Sequence, residues 1–480
     1  MINLYFRSLT RLRLVNLKNS DKIPYIPFSL SIVVIKLLSI IVTSGIFLSG
    51  CTTFGAITNS QKTTEASLPG YSLQSVMSSK PQGNVSLLLS FSGGGSRAAA
   101  LAYGVLKELR DTQIQRNGHS YRLLDEVDVI SSVSGGSFTA AYYGLHGDKT
   151  FKKFEKVFLR RDISTILLES LFNPTLWFST KGRTDRTIEF YETSVFKHAT
   201  YADLQKKNGP LIVINASDLG NGIRFSFTQE YFDLLCSNIN DFPIANAVAA
   251  SSSVPFIFDP VIIENYQNCK NKQNAMLLNS KQTSHSSQEV KATQQDLHKY
   301  LKTDKNLKYI HLVDGGITDN LGLRAIYEVM ELSGGAQQIL KKLNRKPVSH
   351  FAVIAVNAST HSSPDIGKTN QVPSIESTIN AVSDIQLHRY NAATIELFQK
   401  GMQRWSQELS TPEKKVTDYF IEVGFSGIKE PLRSDFFNAI TSSFTLTKDE
   451  VDKLIEAGRM LLRNHPAYKT LVHNLNNSVD

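Results

Sequence analysis

The stretch that decides the fold is Asp128-Val129-Ile130-Ser131-Ser132-Val133-Ser134-Gly135-Gly136-Ser137. Its apolar, β-branched first half predicts a buried strand, and the following run Phe138–Tyr143 is compatible with a helix. A strand, a sharp turn of small residues and a helix form the layout of a nucleophile elbow, which exposes one hydroxyl at the top of a sheet. Ser134 occupies that position. Ser132 replaces the first glycine of the G-x-S-x-G pattern, so a plain connection between strand and helix is the alternative.

A second strand–loop–helix unit precedes this one. The apolar run 85–91 leads into Ser92-Gly93-Gly94-Gly95-Ser96-Arg97, and an alanine-rich helix follows. Backbone N–H groups of such a loop lie at the positive end of a helix and bind anions. Gly93-x-Gly95-x-x-Ala98 also matches a loose dinucleotide fingerprint, but the acidic residue expected about twenty positions later is missing. We therefore favour an oxyanion hole over a pyrophosphate site, and a glycine turn without a ligand is the third alternative.

Three blocks in this order resemble the patatin-like phospholipase family: the glycine loop, the Ser134 turn and Val313-Asp314-Gly315-Gly316. The resemblance covers roughly residues 85–356, and the pattern looks most like the branch of bacterial lipoproteins. It implies an α/β fold of the patatin type. That fold is a three-layer sandwich with a central, mainly parallel sheet and helices on both faces.

The family uses a Ser–Asp dyad, so the resemblance implies that Ser134 is the nucleophile and Asp314 the base. A carboxylate can take the serine proton when its site disfavours charge and raises its pKa. Asp314 follows an apolar strand and precedes two glycines, where an ordinary turn carboxylate is the alternative.

The resemblance also assigns the oxyanion hole to the loop Gly93, Gly94 and Gly95, with a further N–H available from Gly135. Arg97 either neutralises a lipid phosphate or caps the loop, and the sequence leaves both roles open. No cofactor is implied, and no metal-spaced cluster of His and Cys occurs in the chain.

A conventional triad would need a histidine. His350 completes the order Ser, Asp, His, but it precedes a predicted strand, whereas a triad histidine follows one. His311 lies inside the strand that leads to Asp314 and is read as structural. We therefore expect no histidine in the mechanism.

The first fifty residues carry six Lys or Arg against one Asp, a net charge of +5. The whole chain of 480 residues has a net charge of +9, so only +4 remains for the rest and nucleic-acid binding is not indicated.

The basic start, an apolar run and Leu48-Ser49-Gly50-Cys51 resemble a lipoprotein signal with its lipobox. The resemblance implies cleavage before Cys51, diacylation of its thiol and sorting to the outer membrane of a Gram-negative bacterium. A transmembrane helix over residues 28–47 is the alternative.

The remaining cysteines, Cys236 and Cys269, form an even pair in a protein expected to be exported. We therefore predict a disulfide, with two buried thiols as the alternative.

Residues 51–84 are predicted to be a flexible tether after the signal peptide 1–50, and residues 85–480 are predicted to be the catalytic domain. Within the domain, about 265–306 is expected to be a polar insertion and about 364–480 a mainly helical part.

The predicted function is hydrolysis of acyl ester bonds in phospholipids or lysophospholipids by an enzyme anchored to the membrane through Cys51. The alternative is a catalytically silent lipoprotein that binds lipid or a protein partner, which the Ser132 departure favours. The sequence identifies no protein partner.

Overall fold

A computed structural model describes residues 55–62, 70–116, 118–165, 182–255, 257–266, 269, 277–278, 288–301, 307–360, 365–368 and 370–477. These residues belong to one compact unit. The predicted signal peptide, Cys51 and the alternative span 28–47 lie outside the described residues. Within the described part, no helix combines the length and the apolar character that crossing a bilayer requires.

Strands and helices alternate along most of the described chain. The strands are β1 Ser60–Gln61, β2 Val85–Phe91, β3 Gln113–Arg116, β4 His119–Arg122, β5 Val127–Val133, β6 Leu211–Asp218, β7 Ile223–Ser226, β8 Ser237–Asn238, β9 Val261–Glu264, β10 Tyr309–Asp314, β11 His350–Asn357 and β12 Thr417–Gly424. The helices are α1 Leu73–Ser79, α2 Gly95–Asp111, α3 Gly135–His146, α4 Thr150–Phe154, α5 Arg183–Phe190, α6 Tyr201–Gln205, α7 Gln229–Leu234, α8 Ile244–Ser251, α9 Gln288–Leu297, α10 Gly316–Asp319, α11 Leu323–Leu332, α12 Ala336–Lys342, α13 Ile375–Leu409, α14 Pro431–Ala439, α15 Lys448–Asn464 and α16 Pro466–Asn477.

The described strands form a central sheet of eight, in the order β12-β11-β2-β5-β6-β10-β9, with β7 paired to the second half of β6. The five strands from β12 to β6 are parallel to one another. Strands β10 and β7 run antiparallel to β6, and the edge strand β9 runs antiparallel to β10 and therefore in the direction of β6. The runs β2, β5, β6 and β11 are apolar and largely buried because helices cover both faces of this part of the sheet. The predicted α/β three-layer architecture is therefore confirmed.

Alternating side chains of the strands face two different helical layers. On one face, α3 packs against β6 so closely that a Cβ on Gly144 would lie 2.5 Å from Cγ1 of Ile212. The next residue along the strand, Val213, points to the other face, where it lines a cavity together with residues of α1, α11 and α12. Behind α2, helix α15 crosses at two glycines, with Gly104 of α2 against the backbone of Ile455.

The domain begins before the boundary predicted at residue 85. Strand β1 pairs with β8, and in α1 the side chains of Val76 and Met77 are buried. Tyr71 is 1 % exposed, and its hydroxyl accepts a 2.7 Å hydrogen bond from the N–H of Ile212 at the start of β6. The tether prediction is therefore wrong for the described residues 55–62 and 70–84. The first segment is held by the β1–β8 pairing and by hydrogen bonds of the buried Asn59, and the second by buried apolar side chains.

The polar insertion predicted at about 265–306 is also partly structured. Its described end contains α9, and the side chains of Val290, Leu297 and Tyr300 are buried. The Tyr300 hydroxyl donates a 2.9 Å hydrogen bond to Asp218 at the end of β6. The composition of the segment is polar because α9 buries only one narrow stripe of side chains.

A disulfide joins Cys236 and Cys269, which are separated by 33 positions in the sequence. Cys236 is the second residue after α7 and has a positive φ of 52°. The bond therefore ties the turn after α7 to the segment that follows β9.

Candidate active site

Ser134 lies in the sharp turn between β5 and α3. Its backbone has φ 49° and ψ −122°, a conformation that is costly for a residue with a side chain and is typical of functional turns. The side chain is 7 % exposed, and its Oγ donates a 2.8 Å hydrogen bond to Oδ2 of Asp314. The turn forms although Ser132 replaces glycine. The Ser132 hydroxyl is accommodated by a 3.1 Å hydrogen bond that it donates to the carbonyl of Val213 on the neighbouring strand.

Asp314 is the last residue of β10, and it reaches Ser134 across β6. Val133 pairs with Asn215 on one edge of β6, and Asp314 pairs with Ala216 on the other edge. The carboxyl ends of β5 and β10 therefore lie at neighbouring positions along β6, although β10 runs antiparallel to β6 and β5 runs parallel to it. That Asp314 ends an apolar strand was predictable from the sequence, whereas the antiparallel direction of this strand was not.

The environment of Asp314 is suited to a weakly acidic carboxyl group. Burial raises its pKa to about 6, although hydrogen bonds from the Gly316 N–H and the Ser134 hydroxyl oppose this shift. The Gly316 bond to Oδ1 is 2.7 Å long and leaves Oδ2 for the serine. A carboxyl group held in this way accepts a proton at neutral pH more readily than an exposed aspartate does.

The end of α8 connects the two halves of the site. The Ser134 N–H donates a 2.8 Å hydrogen bond to Oγ of Ser251, which in turn donates a 2.6 Å bond to the carbonyl of Asn215. The Ser251 carbonyl accepts the Gly315 N–H at 3.1 Å, and the Ser253 carbonyl accepts the Asp314 N–H at 2.9 Å. Residues 251–253 therefore hold the backbone on both sides of the Ser134–Asp314 contact.

The glycine loop between β2 and α2 packs directly on the elbow. A Cβ on Gly93 would lie 3.4 Å from Cβ of Ser134, and a Cβ on Gly135 would overlap the Gly95 carbonyl at 1.9 Å. Gly94 and Gly95 have φ values of 130° and 59°, which favour glycine. Among the described residues, no acceptor is hydrogen-bonded to the N–H groups of Gly94 and Gly95. Both N–H groups therefore remain able to bind an anion beside Ser134, at the amino ends of α2 and α3.

Arg97 points away from the elbow towards the C-terminal part of the chain. Its side chain is 4 % exposed and donates hydrogen bonds to the carbonyl of Ile440 and, at 3.0 Å, to Oγ of Ser442. Burial lowers the pKa of its guanidinium to about 10. Of the two predicted roles, these contacts match the cap, because the guanidinium fixes the 440–443 segment against the glycine loop.

The histidines considered in the sequence lie elsewhere. His350 is the first residue of β11, at the end of the sheet opposite the elbow, and its Nδ1 lies 3.2 Å from the Tyr419 hydroxyl. His311 is exposed on β10 and pairs with Ile262. Of the residues that the structure describes, no histidine is hydrogen-bonded to Ser134 or Asp314, and no group of acidic, His and Cys side chains could hold a metal ion.

Sequence reasoning missed a buried polar network beneath the elbow. The Asn215 amide donates hydrogen bonds to Oγ of Ser131 at 3.0 Å and to the carbonyl of Ser132 at 3.1 Å. Its Oδ1 accepts a 3.1 Å bond from Arg224, which forms an ion pair with Glu328. An asparagine inside an apolar strand is the only signal the sequence offered for this network.

The fold and the site define an α/β protein with a serine–carboxylate pair beside a glycine-rich anion loop. Residues 89–327 match the family model of patatin-like phospholipases, and this range contains the glycine loop, Ser134 and Asp314. Over that range, which is just under half of its 480 residues, the chain is similar to patatin-like phospholipases. No curated protein matches the chain in sequence.

Solved structures similar to this chain include human GIVD cytosolic phospholipase A2 in complex with methyl gamma-linolenyl fluorophosphonate. It has 11% sequence identity and a TM-score of 0.38, and the alignment covers 84% of this chain. This chain spans 62% of the length of that human protein. VipD from Legionella pneumophila is also similar, with 12% identity, a TM-score of 0.33, and coverage of 90% of this chain and 73% of VipD.

Proposed function

We propose that this protein hydrolyses carboxylic ester bonds of membrane lipids, phospholipids or lysophospholipids, with Ser134 as nucleophile and Asp314 as general base. The observation that carries the proposal is the 2.8 Å hydrogen bond between Ser134 Oγ and Asp314 Oδ2 at a strained turn. The match of residues 89–327 to the patatin-like phospholipase model supports a lipid ester as the substrate class.

In the first half of the reaction, Oγ of Ser134 attacks the ester carbonyl while Asp314 takes its proton. The carbonyl oxygen becomes an oxyanion, which the N–H groups of Gly94 and Gly95 stabilise, with Gly93 allowing the close approach of the loop. The N–H of Gly135 is a further donor. When the carbon–oxygen bond of the ester breaks, Asp314 returns the proton to the leaving alcohol, and the acyl group stays on Ser134.

In the second half, a water molecule attacks the acyl-enzyme and Asp314 takes a proton from it. The same N–H groups stabilise the second oxyanion. Collapse of this intermediate releases the fatty acid, and the proton on Asp314 returns to Ser134. The cycle needs a base whose pKa lies below the working pH, and a pKa of about 6 meets that condition.

Exposed apolar side chains beside the dyad fit a lipid substrate. Val254 and Ile257 follow the 251–253 segment with exposed fractions of 38% and 54%, and Ile317, three positions after Asp314, is 54% exposed. Large side chains of this kind are costly in water and favourable against the hydrocarbon of a lipid aggregate.

The membrane anchor is part of the same proposal. Lipid attached to Cys51 would keep the enzyme at its substrate surface in the outer membrane. Each CH₂ group of an attached chain that is buried in the bilayer contributes about 0.8 kcal/mol to the free energy of membrane binding. Growth with labelled palmitate should label the full-length protein, and Cys51→Ala should abolish the label. An unlabelled wild-type protein would contradict the anchor without affecting the proposed chemistry.

The decisive experiment measures fatty-acid release from mixed micelles of phospholipid and lysophospholipid. Ser134→Ala and Asp314→Asn should each abolish release while the protein stays folded. Ser132→Gly serves as the matched control, since it restores the usual elbow residue two positions away. A folded wild-type protein that neither releases fatty acid nor reacts with a fluorophosphonate would favour the silent lipoprotein.

A further inference from the structure

Asn320 lies where the glycine loop meets the segment that follows Asp314. It directly follows α10, the short helix Gly316–Asp319. Asn320 is 5% exposed, and its carbonyl accepts a 2.9 Å hydrogen bond from the N–H of Gly93. The backbone of Asn320 therefore ties the loop between β2 and α2 to the segment after Asp314.

The side-chain amide of Asn320 borders the dyad. A Cβ on Gly93 would lie 2.7 Å from Oδ1 of Asn320 and 3.4 Å from Cβ of Ser134. A Cβ on Gly316 would lie 3.3 Å from the same Oδ1 and 2.9 Å from Oδ1 of Asp314. The two glycines thus leave a space that the amide shares with both members of the dyad, and a side chain at either position would fill it.

The other end of the amide is held by the protein. Nδ2 of Asn320 donates a 3.3 Å hydrogen bond to Oγ of Ser359, the second residue after β11. Asn391 of α13 donates a 3.0 Å bond to the same oxygen. Because a serine hydroxyl both donates and accepts, it can hold either the nitrogen or the oxygen of the Asn320 amide. A half-turn of the amide therefore keeps the contact with Ser359 and directs an N–H into the space beside the dyad.

The end of the amide that faces the dyad is open. In the part of the chain that the structure describes, Oδ1 of Asn320 accepts no hydrogen bond, and this atom is not closed off from solvent. Buried side-chain amides usually have hydrogen-bond partners at both ends. A substrate group that approaches Ser134 would supply the partner that this end lacks.

We propose that Asn320 is a further catalytic residue, whose Nδ2 donates a hydrogen bond to the oxyanion that forms on the ester carbonyl. It acts beside the N–H groups of Gly94 and Gly95. The inference deepens the proposed function and rests on it, because the oxyanion forms only when Ser134 attacks an ester.

The amide acts on charge that develops during the attack. A bond forms between Oγ of Ser134 and the carbonyl carbon, the serine proton passes to Asp314, and the π electron pair of the carbonyl moves to its oxygen. A hydrogen bond from Asn320 to that oxygen therefore strengthens in the transition state. When the intermediate collapses, the electron pair returns to the carbon, and the amide keeps its proton throughout. A neutral donor suits this position, because a cation beside Asp314 would lower the pKa of the proposed base.

Two substitutions of Asn320 test whether the amide donates. Asn320→Ala should lower kcat by about a hundredfold and change KM by less than about threefold, since the loss of one oxyanion donor costs about 10²–10³ in rate. Asn320→Asp keeps the shape but replaces the donor by a negative charge, so it should lower kcat further than Asn320→Ala does. It should also raise the pH at which kcat/KM is half-maximal, because a second carboxylate disfavours the ionised form of Asp314. A purely structural role predicts the reverse order of activities, because an aspartate still accepts a hydrogen bond from Ser359.

Asn246→Ala is the matched control for the loss of a buried amide. Asn246 lies near the start of α8, is 3% exposed, and donates a 3.0 Å hydrogen bond from Nδ2 to Thr58. This variant should lose stability and keep a kcat within about twofold of the wild type. Where Asn320→Ala does not fold, Asn320→Asp carries the test against the wild type, with a loss of kcat of at least about a thousandfold expected.

A reversible inhibitor separates donation to the oxyanion from a defect in binding. Oγ of Ser134 adds to the carbonyl carbon of an alkyl trifluoromethyl ketone, and the ketone oxygen then carries the negative charge of the oxyanion. Asn320→Ala should weaken binding of this ketone by the same factor as it lowers kcat/KM, about a hundredfold. The corresponding secondary alcohol cannot add to the serine, so the wild type and Asn320→Ala should bind it equally.

Three results would overturn the proposal while the wild type still releases fatty acid. The first is a folded Asn320→Ala protein with kcat within about threefold of the wild type. The second is a higher kcat for Asn320→Asp than for Asn320→Ala, which would make the side chain a spacer for the glycine loop. The third is an equal loss of affinity for the ketone and the alcohol, which would assign the effect to substrate binding. A wild type that neither releases fatty acid nor binds the ketone would instead overturn the proposed function together with this inference.

Discussion

The N–H of Ser134 donates a 2.8 Å hydrogen bond to the hydroxyl of Ser251, a residue 117 positions later in the chain. The same serine holds the Gly315 N–H through its carbonyl, so one residue fixes the backbone on both sides of the dyad. The bond to Ser134 supports a backbone conformation that is costly by itself. We infer that Ser251 is a positioning residue for the proposed reaction.

Ser251→Ala should lower kcat by about tenfold to a hundredfold with little change in KM. The reason is that a buried N–H left without an acceptor costs about 1–3 kcal/mol, and relaxation of the turn would move Oγ away from Asp314. Steady-state kinetics and the rate of fluorophosphonate labelling should fall together. Ser252→Ala is the control, because Ser252 Oγ donates to the carbonyls of Val248 and Ala249 in its own helix and is not hydrogen-bonded to Ser134 or Asp314 in the described structure.

An equal loss of kcat in both variants would contradict this role. A loss in Ser251→Ala that disappears at a lower temperature, where the variant is fully folded, would indicate a purely structural contribution.

The pH dependence of activity should report the ionisation of Asp314. The proposed base works only when it is unprotonated, and burial raises its pKa to about 6. The value of kcat/KM should therefore rise with pH and reach half its maximum near pH 6, measured with an uncharged ester so that the substrate does not titrate. A profile that is flat from pH 5 to pH 8 would contradict the assignment of Asp314 as the base.

Asp314 should also destabilise the folded protein at high pH. Its folded pKa of about 6 lies above the value of ~3.9 for an unfolded aspartate, so the folded state binds more protons between these values. The free energy of unfolding should then fall as the pH rises from about 4 through 6. At pH 8, Asp314→Asn should raise the free energy of unfolding by about 1–2 kcal/mol, a reduced figure because the carboxyl group is partly exposed.

Denaturant unfolding of the wild type and Asp314→Asn at pH 8 and at pH 4 measures this effect. The difference between the two proteins should nearly vanish at pH 4, where Asp314 is protonated in the folded state. An asparagine variant that is less stable than the wild type at pH 8 would contradict the sign of the prediction.

The predictable part of this structure was the part with local signals. The apolar runs before Ser134 and after Asn84 became β5 and β2, and the mainly helical part predicted from about residue 364 contains α13, α14, α15 and α16. Each of these patterns is set by residues close together in the chain. Ser134 and Asp314 were found because short motifs mark both, although 180 positions separate them.

The parts that the sequence missed depend on contacts between distant segments. Nothing near Tyr71 shows that its hydroxyl meets the start of β6, and nothing near Arg97 shows that residues 440–443 surround its guanidinium. The antiparallel direction of β10 is another such case, because an apolar run predicts a strand but not whether that strand pairs parallel or antiparallel with its neighbour. Long-range pairing decides all three, and composition carries no information about it.

Arg97 provides a last test that separates a structural from a substrate-binding role. Its guanidinium donates to the Ile440 carbonyl and to Ser442, and it is nearly inaccessible to solvent. Arg97→Met should therefore lower the free energy of unfolding by about 1–3 kcal/mol, since it leaves buried acceptors without donors. Where the variant is folded, its activity should fall by the same factor on a phospholipid and on diacylglycerol, which has no phosphate. Arg110→Met, at a partly exposed position of the same helix, is the control for stability. A selective loss on the phospholipid, with stability unchanged, would instead assign Arg97 to the lipid phosphate.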